Sequence, residues 1–190
     1  MVLGSILDKK QTINGDGIVS DLKNQNLWVY TADCLPILFA DKQTRNVAAI
    51  HCGRLGLEKQ IIKNTINLFE QRGSLRTELL VSIGPSISKL NYALDIKTIN
   101  KFKKSSADDE IKETLIIEAS KRNHDINNNL IEKTSFLLDI KGYALKQLCN
   151  EGIPSENIEI SEKCTYDLPN EFHSWRRTKT KKRQWSFICS

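Results

Sequence analysis

Residues 31–53 read TADCLPILFADKQTRNVAAIHCG, two apolar runs joined by a polar turn. The runs are rich in residues that favour strands, which predicts two neighbouring strands buried on both faces. Pro36 has no N–H to donate, so we expect it at a strand start, an edge or a bulge. Cys34 then lies just outside regular pairing, and His51 lies at the end of the second strand. A thiol and an imidazole are thereby predicted at the ends of two neighbouring elements.

The remaining periodic segments predict a mixed α/β fold. Apolar residues at helical spacing predict helices over 57–69 and 137–148, which Gly73 and Gly152 would terminate. Further strands are predicted at 27–30, 79–83, 157–161 and 184–188, the first two of them buried. Because strands and helices interleave without a strict βαβ rhythm, we expect a mixed β-sheet sandwiched by helices.

Size and composition predict one domain. The chain has 190 residues, of which 39% are hydrophobic and 27% are charged, and one domain over 1–190 can bury a sizeable core. Polar residues dominate 103–129, where we expect a solvated insertion with at most a short helix. The formal net charge of +5 suits anionic small ligands as well as nucleic acid, so charge alone does not decide between them.

The cysteine pattern favours reduced thiols in the cytoplasm. The five cysteines are odd in number and show no framework spacing. The first residues do not form the basic segment and long apolar run of a signal peptide. The apolar stretches also fall far short of the roughly 20 residues of a membrane helix. We therefore expect a soluble, cytoplasmic protein with no membrane partner.

Cys34 and His51 are the candidate catalytic residues. A catalytic zinc ion takes three protein ligands and a water, whose pKa it lowers to about 7, and a thiolate and an imidazole are suitable donors. The neighbours Asp33 and Cys52 would point to the opposite face, so neither is expected as a third ligand. Two other interpretations stay open. One is a buried apolar thiol beside a strand-end histidine. The other is a Cys34 thiolate activated by His51, as in cysteine hydrolases.

Residues 175–185 read WRRTKTKKRQW and place six basic residues in eight positions between two tryptophans. Such a run can stack bases and neutralise phosphates, but it is confined to one loop. We rank a solvated turn first, a site for one phosphate on Arg176 or Arg177 second, and nucleic-acid binding third. His124 is expected to be exposed, whereas His173 faces either a pocket or water.

Five segments of the chain form a recognisable series: TADCLP at 31–36, VAAIHCG at 47–53, IGPSI at 83–87, CT at 164–165 and FHSWRR at 172–177. They occur in the order found in the laccase-domain, or multicopper polyphenol oxidoreductase, family, which the chain resembles from about residue 15 onward. The resemblance implies a fold similar to that of the cytotoxic necrotising factor deamidase domain. It also implies a zinc ion, for which copper is the older attribution, bound by one cysteine and two histidines.

Family members are described as purine nucleoside phosphorylases. The resemblance therefore implies cleavage of adenosine, inosine, guanosine or methylthioadenosine with inorganic phosphate, and deamination of adenosine. Cys34 and His51 match the family cysteine and second histidine, and Arg54 or Arg176 would orient phosphate. Purine nucleosides and phosphate are the expected partners, and nucleic acid is not. An amide hydrolase using Cys34 and His51, and a nucleoside-binding protein with a degenerate metal site, are the alternatives.

Two positions depart from the family pattern. The family's first histidine lies in a Gln-Val-His-Gly segment, whereas this chain reads Met1-Val2-Leu3-Gly4. Either Leu3 has replaced the ligand or the ligand lies upstream, and we expect the chain to lack the N-terminal part of the family domain. The family also reads His-Ala-Gly-Trp-Arg-Gly where residues 51–56 read HCGRLG, which moves the arginine by one place to Arg54.

Overall fold

Strands in three sheets dominate the part of the chain that this computed structural model describes, which is residues 1–3, 14–105, 115–124 and 130–190. In chain order the strands are β1 (Val2–Leu3), β2 (Gly17–Val19), β3 (Asn26–Thr31), β4 (Leu35–Asp41), β5 (Val47–Cys52), β6 (Leu79–Ile83), β7 (Ala93–Leu94), β8 (Ile116–His124), β9 (Leu130–Leu138), β10 (Ile158–Ile160) and β11 (Gln184–Cys189). The helices are α1 (Arg54–Glu58), α2 (Ile61–Gln71), α3 (Ile96–Ser105), α4 (Ile140–Asn150) and α5 (Trp175–Thr178), and 3₁₀ turns occupy Arg76–Glu78, Lys89–Asn91 and Ser155–Asn157.

The largest sheet has the strand order β1-β2-β5-β4-β6-β10 and mixes parallel with antiparallel pairs. β4 lies inside it, antiparallel to both β5 and β6, while β1 with β2 and β6 with β10 are parallel. The polar turn after β4 sets a register that pairs Leu35 with Cys52 and Pro36 with His51. The predicted mixed α/β class is confirmed, and Pro36 lies at the start of its strand as expected.

The two faces of this sheet are covered by different layers. Side chains alternate along a strand, so Phe39 and Ile50 pack with α1, α2 and α4 in one core. Leu38 and Ala49 point to the other face, where they pack against Leu27 and other residues of β3 and β11, which form a two-stranded sheet. Helices therefore cover one face of the large sheet, and a small sheet covers the other.

β3 is predicted to be buried on both faces, but the structure buries only one face. Its burial alternates, with Leu27 and Val29 buried and Trp28 and Tyr30 more than half exposed. The apolar run is therefore one buried face plus one exposed aromatic face. β6 alternates in the same way and exposes Leu80.

The predicted helices form with shifted starts. The first is split in two, because Gln60 adopts a left-handed conformation with φ 55° between α1 and α2. The second begins after Asp139, whose side chain caps α4 by accepting from the Gly142 N–H, and Leu137 belongs to β9 instead. Gly73 and Gly152 follow the two helices with φ of 86° and 82°, as their role as stop signals requires.

Within 103–129 the structure describes residues 103–105 and 115–124, and the rest of this predicted insertion lies outside the described residues. α3 extends into the segment, and the nine-residue β8 pairs antiparallel with β9 along its whole length. The expectation of at most a short helix there was wrong, because strand pairing does not require apolar side chains on both faces. Of His124 the structure describes only the backbone, at the end of β8. In the ranges that the structure describes, every helix is too short or too polar to cross a bilayer.

Candidate functional site

A cavity of about 750 Å³ opens between the start of β2 and the edge of β3. Residues 15–18 and residues 28–34 line it, the second segment including Cys34. His51 from β5 and Tyr92 also line the cavity. A cavity of this size can hold a nucleoside-sized ligand.

Cys34 Sγ and His51 Nε2 both lie close to Gly53. A Cβ added to Gly53 would lie 2.8 Å from Cys34 Sγ and 4.0 Å from His51 Nε2, so both atoms lie close to one point. The sum of these two distances is the upper limit of the Sγ–Nε2 separation. The alternation of β5 explains the arrangement, because His51 faces the cavity while Cys52 is fully buried in the core on the helix side.

Asp16 orients the His51 ring. The His51 N–H donates to the Asp16 carbonyl at 2.7 Å, and the Asp16 carboxylate lies 3.2 Å from His51 Nδ1. This contact occupies Nδ1 and leaves Nε2, the nitrogen near Cys34, as the available donor atom. A carboxylate on the far nitrogen is the usual support for a metal-binding histidine.

Burial raises the pKa of the Cys34 thiol to about 11, and the negative charges of Asp33 and Asp16 act in the same direction. The Arg183 guanidinium lowers it by a smaller amount. Without a cation beside it, the thiol therefore stays protonated at neutral pH, which does not suit a free thiolate nucleophile. A bound cation would favour the thiolate directly.

Cys34 and His51 are types of ligand that zinc prefers, but the described residues supply no third ligand. Cys34 Sγ and His51 Nε2 are both suitable ligands. Asp16 contacts the other nitrogen of His51, and Asp33 is engaged elsewhere, so neither completes the set. Across the described ranges, no three His, Cys, Asp or Glu side chains cluster closely enough to hold a metal ion. Leu3 lies in β1 beside Val19 of β2, and only its backbone is described.

Asp33 ties the C-terminal segment to the cavity. Its carboxylate accepts from the Thr165 hydroxyl at 2.9 Å and from the Arg176 N–H at 2.7 Å. Ser174 caps the short helix α5 by accepting from the Arg177 N–H at 3.1 Å. Asp33 thus holds the first turn of α5 beside Cys34 and is a positioning residue.

The arginines predicted to bind phosphate divide into two groups. Arg176 lines the cavity, lies over the Tyr92 ring at 5.1 Å and donates to the Ala93 carbonyl at 2.9 Å. Arg177 does not line it. Its guanidinium donates to the carbonyls of residues 165, 166 and 172, so these contacts engage it within the protein, and a phosphate site on Arg177 stays a prediction. Arg54 also lies outside the lining and forms an ion pair with Glu58.

Arg183 and Tyr92 are site residues that sequence reasoning missed. Arg183 lines the cavity, and its two described hydrogen bonds both come from Nη1, to the carbonyls of residues 180 and 182. Burial raises the pKa of Tyr92, while the charges of Arg54 and Arg176 lower it. The cationic run was a signal for Arg183, although we ranked a solvated turn first. Tyr92 follows a 3₁₀ turn in the chain and carried no signal.

Of the other sequence candidates, Trp175 lines the cavity, whereas His173 and Cys164 do not. His173 is exposed and does not line it, and its backbone N–H donates to Gln184 Oε1 at 3.1 Å. Cys164 is buried behind the site, where its sulfur accepts from the Ser88 N–H at 3.3 Å. Lys179 covers the Trp175 ring at 3.6 Å, so part of the basic run packs on the protein surface.

Comparison with known proteins shows which family the chain belongs to. A family model described as multi-copper polyphenol oxidoreductase laccase matches residues 3–190. A solved structure, the hypothetical protein YfiH of Bacillus licheniformis, is similar to the chain with a TM-score of 0.77 and 26% identity. That similarity covers 92% of this chain and 61% of the solved chain.

Curated relatives carry names that state an activity. "Purine nucleoside phosphorylase slr1573" of Synechocystis sp. is 34% identical over 181 residues, which is 92% of this chain and 67% of that protein. "Purine nucleoside phosphorylase YlmD" of Bacillus subtilis is 31% identical over 175 residues, covering 91% of this chain. The chain spans 58% of the length of YlmD, so these relatives are considerably longer.

Proposed function

This chain belongs to the multi-copper polyphenol oxidoreductase laccase family, and we propose that it is a purine nucleoside phosphorylase. The observation that carries the proposal is the meeting of Cys34 and His51 at the end of a cavity that also contains two arginines. The names of the relatives support the same activity. The substrates we propose are adenosine, inosine, guanosine and methylthioadenosine, with deamination of adenosine by water as a second reaction.

Zinc is the proposed cofactor, with copper as the alternative. Cys34 Sγ and His51 Nε2 would hold the ion, and further ligands would come from solvent, substrate or residues outside the described ranges. Bound zinc would supply Lewis-acid chemistry, which can polarise a leaving group or activate water. Asp16 would keep the His51 ring in position through Nδ1.

Arg176 and Arg183 provide the positive charge that phosphorolysis needs. In this reaction the bond between the base nitrogen and the ribose C1′ breaks, and a phosphate oxygen forms a new bond to C1′. The base leaves with the electron pair and takes up a proton. A guanidinium group binds phosphate through two parallel hydrogen bonds, and both arginines line the cavity. They would orient inorganic phosphate for attack at C1′.

One observation favours a second candidate, a nucleoside-binding protein without turnover. Two protein donors do not make a stable zinc site, and the described residues contain no third donor that converges on Cys34 and His51. An amide hydrolase is less favoured, because the raised pKa of Cys34 opposes a metal-free thiolate.

The test is phosphorolysis by the purified, zinc-loaded protein. Adenosine and inorganic phosphate should yield adenine, and ribose 1-phosphate should equal the adenine plus any hypoxanthine formed through deamination. Zinc content should be about one ion per chain. Cys34→Ser and His51→Asn should lose both the zinc and the activity. Cys149→Ser is the matched control, because Cys149 is an exposed thiol outside the cavity.

The alternatives give different results in the same experiment. Nucleoside binding in a calorimeter without product formation or zinc would select the binding protein. Equal activity of the Cys34→Ser protein and the Cys149→Ser protein would contradict the proposed role of the thiol.

A further inference from the structure

The cavity follows the edge of β3 that faces away from β11. Residues 28–31 line it from both faces of the strand, whereas residues 184–189 of β11 do not line it at all. In the part of the chain that the structure describes, β11 is the sheet partner of β3. Among the described residues, no strand pairs with the opposite edge of β3, and both inner and outer side chains of β3 line the cavity there.

Two aromatic rings flank this edge. Trp28 and Tyr30 point to the outer face of β3, line the cavity and are 52% and 55% exposed. The Trp28 ring is held from behind by Phe187, with the ring centroids 4.6 Å apart and nearly parallel. Trp185 lies 5.0 Å from Tyr30 and restrains it in a tilted arrangement. Both rings are thus kept in place while much of their surface stays accessible.

The inner side of the same edge offers a polar atom. Thr31 is one of the residues that line the cavity, and its buried hydroxyl has no hydrogen-bond partner among the described residues. A buried hydroxyl without a partner costs stability unless a ligand or water satisfies it. The edge therefore combines aromatic surface with a hydroxyl that lacks a partner among the described residues, and Cys34, Arg176 and Arg183 line the same cavity.

We infer that the edge of β3 binds the purine ring of the substrate, with the ring packed against Trp28 and Tyr30. This inference rests on the proposed function for the identity of the ligand. A purine is planar and presents nitrogen and oxygen atoms along its rim, so it can use aromatic surface and a hydroxyl together. The phosphate end of the reaction then falls near Arg176 and Arg183, which line the same cavity.

Cross-strand packing alone is the competing explanation for the aromatic face. Pairs of aromatic residues stabilise antiparallel strands, and Trp185 and Phe187 are explained in that way, since neither lines the cavity. The two explanations differ in what they predict for Trp28 and Trp185. These residues are of the same type and lie on the same face, with their ring centroids 6.3 Å apart, but only Trp28 lines the cavity.

The experiment measures binding of free adenine by calorimetry and cleavage of inosine with phosphate. Trp28→Ala should weaken adenine binding and raise the KM for inosine by about 5- to 100-fold, the range of base stacking on one aromatic side chain. Trp28→Tyr should retain most of the affinity, and Trp28→Leu should lose it although it keeps an apolar side chain. Tyr30→Ala should act in the same direction, while kcat changes less than KM.

Trp185→Ala is the matched control and should weaken adenine binding less than Tyr30→Ala or Trp28→Ala does, because it removes a ring that restrains Tyr30 but no ring that lines the cavity. If Trp185→Ala and Trp28→Ala weaken adenine binding equally, the face serves packing only and the inference is overturned. The same holds if Trp28→Leu binds adenine as tightly as the wild type, or if the wild type binds no adenine. Thermal melting of each variant checks that it is folded.

Failure of the proposed function gives a separate result. A wild-type protein that cleaves no nucleoside, but binds adenine in a manner sensitive to Trp28→Ala, would contradict phosphorolysis and support the base-binding edge. A protein that cleaves inosine with a KM unaffected by all Trp28 and Tyr30 variants would support phosphorolysis and contradict the base-binding edge.

Discussion

Replacing Asp33 by asparagine tests how the cavity is assembled. One oxygen of this carboxylate accepts from the Thr165 hydroxyl at 2.9 Å, and the other accepts from the Arg176 N–H at 2.7 Å. These two bonds join residues more than 130 positions apart in the chain. An asparagine side chain would keep the shape of the aspartate, but one of its two ends becomes an amide that donates and cannot accept.

The expected loss follows from the bonds that change. A hydrogen bond to a charged group contributes about 1.5–3 kcal/mol, and one such bond disappears while the other loses its charge. Both partners are partly buried, so water only partly replaces the carboxylate. We expect Asp33→Asn to lower the free energy of unfolding by about 2–4 kcal/mol. For a chain of 190 residues this corresponds to a fall of roughly 5–15 °C in melting temperature.

Urea unfolding and thermal melting measure the loss, and Asp95→Asn is the matched control. Asp95 also accepts two hydrogen bonds, from the Thr98 N–H and hydroxyl, but it is exposed and its partner is three residues away. The control should be much less affected. An Asp33→Asn protein whose unfolding free energy lies within about 0.5 kcal/mol of the wild type would refute the reasoning, as would equal losses in the two variants.

Three further predictions concern the site and its support. Gly53→Ala fits the backbone, since φ is −88°, but its Cβ would lie 2.8 Å from Cys34 Sγ. Zinc binding and turnover should therefore fall while the circular dichroism spectrum stays native, and unchanged zinc affinity would contradict this prediction. Because the pKa of Cys34 is raised to about 11, its alkylation by iodoacetamide in metal-stripped protein should be slow at pH 7 and become about tenfold faster per pH unit toward pH 11. Mass spectrometry measures the alkylation, and fast alkylation at neutral pH would show an activated thiol instead. Arg76 donates to the carboxylates of Glu70 and Glu151 and so links the ends of α2 and α4. Arg76→Lys should lower the melting temperature, because lysine cannot make the two parallel hydrogen bonds to Glu70. An unchanged melting curve would show that a single positive charge suffices. Contact with Arg76 also holds the pKa of Glu70 below its usual value, so this stabilisation should be present at neutral pH and fade as the pH falls through the lowered pKa.

Local patterns were enough to predict most of the elements. The apolar runs and glycine stops placed β4, β5, α2 and α4, because burial and backbone conformation leave direct traces in neighbouring residues. The errors at β3 and at 103–129 share one cause. An apolar run does not show whether its second face is covered, and a polar segment can still form a strand when another strand pairs with it.

Only some residues of the candidate site could be predicted from the sequence. Cys34 and His51 could be found because they end two adjacent strands, and the turn between those strands fixes how they meet. Arg176 and Arg177 could not be told apart in the sequence. Both donate to backbone carbonyls, but only Arg176 also lines the cavity, and this difference comes from the direction of each side chain on α5.

The order of residues along β4 and β5 was sufficient to specify a strand pair that presents a thiol and an imidazole, since strand pairing and side-chain alternation act over a few residues. The cavity required contacts between distant segments. Asp33 had to meet Thr165 and Arg176, and the free edge of β3 had to face the start of β2. Such contacts depend on how layers pack against one another, and no local pattern records which side chains will face the same space.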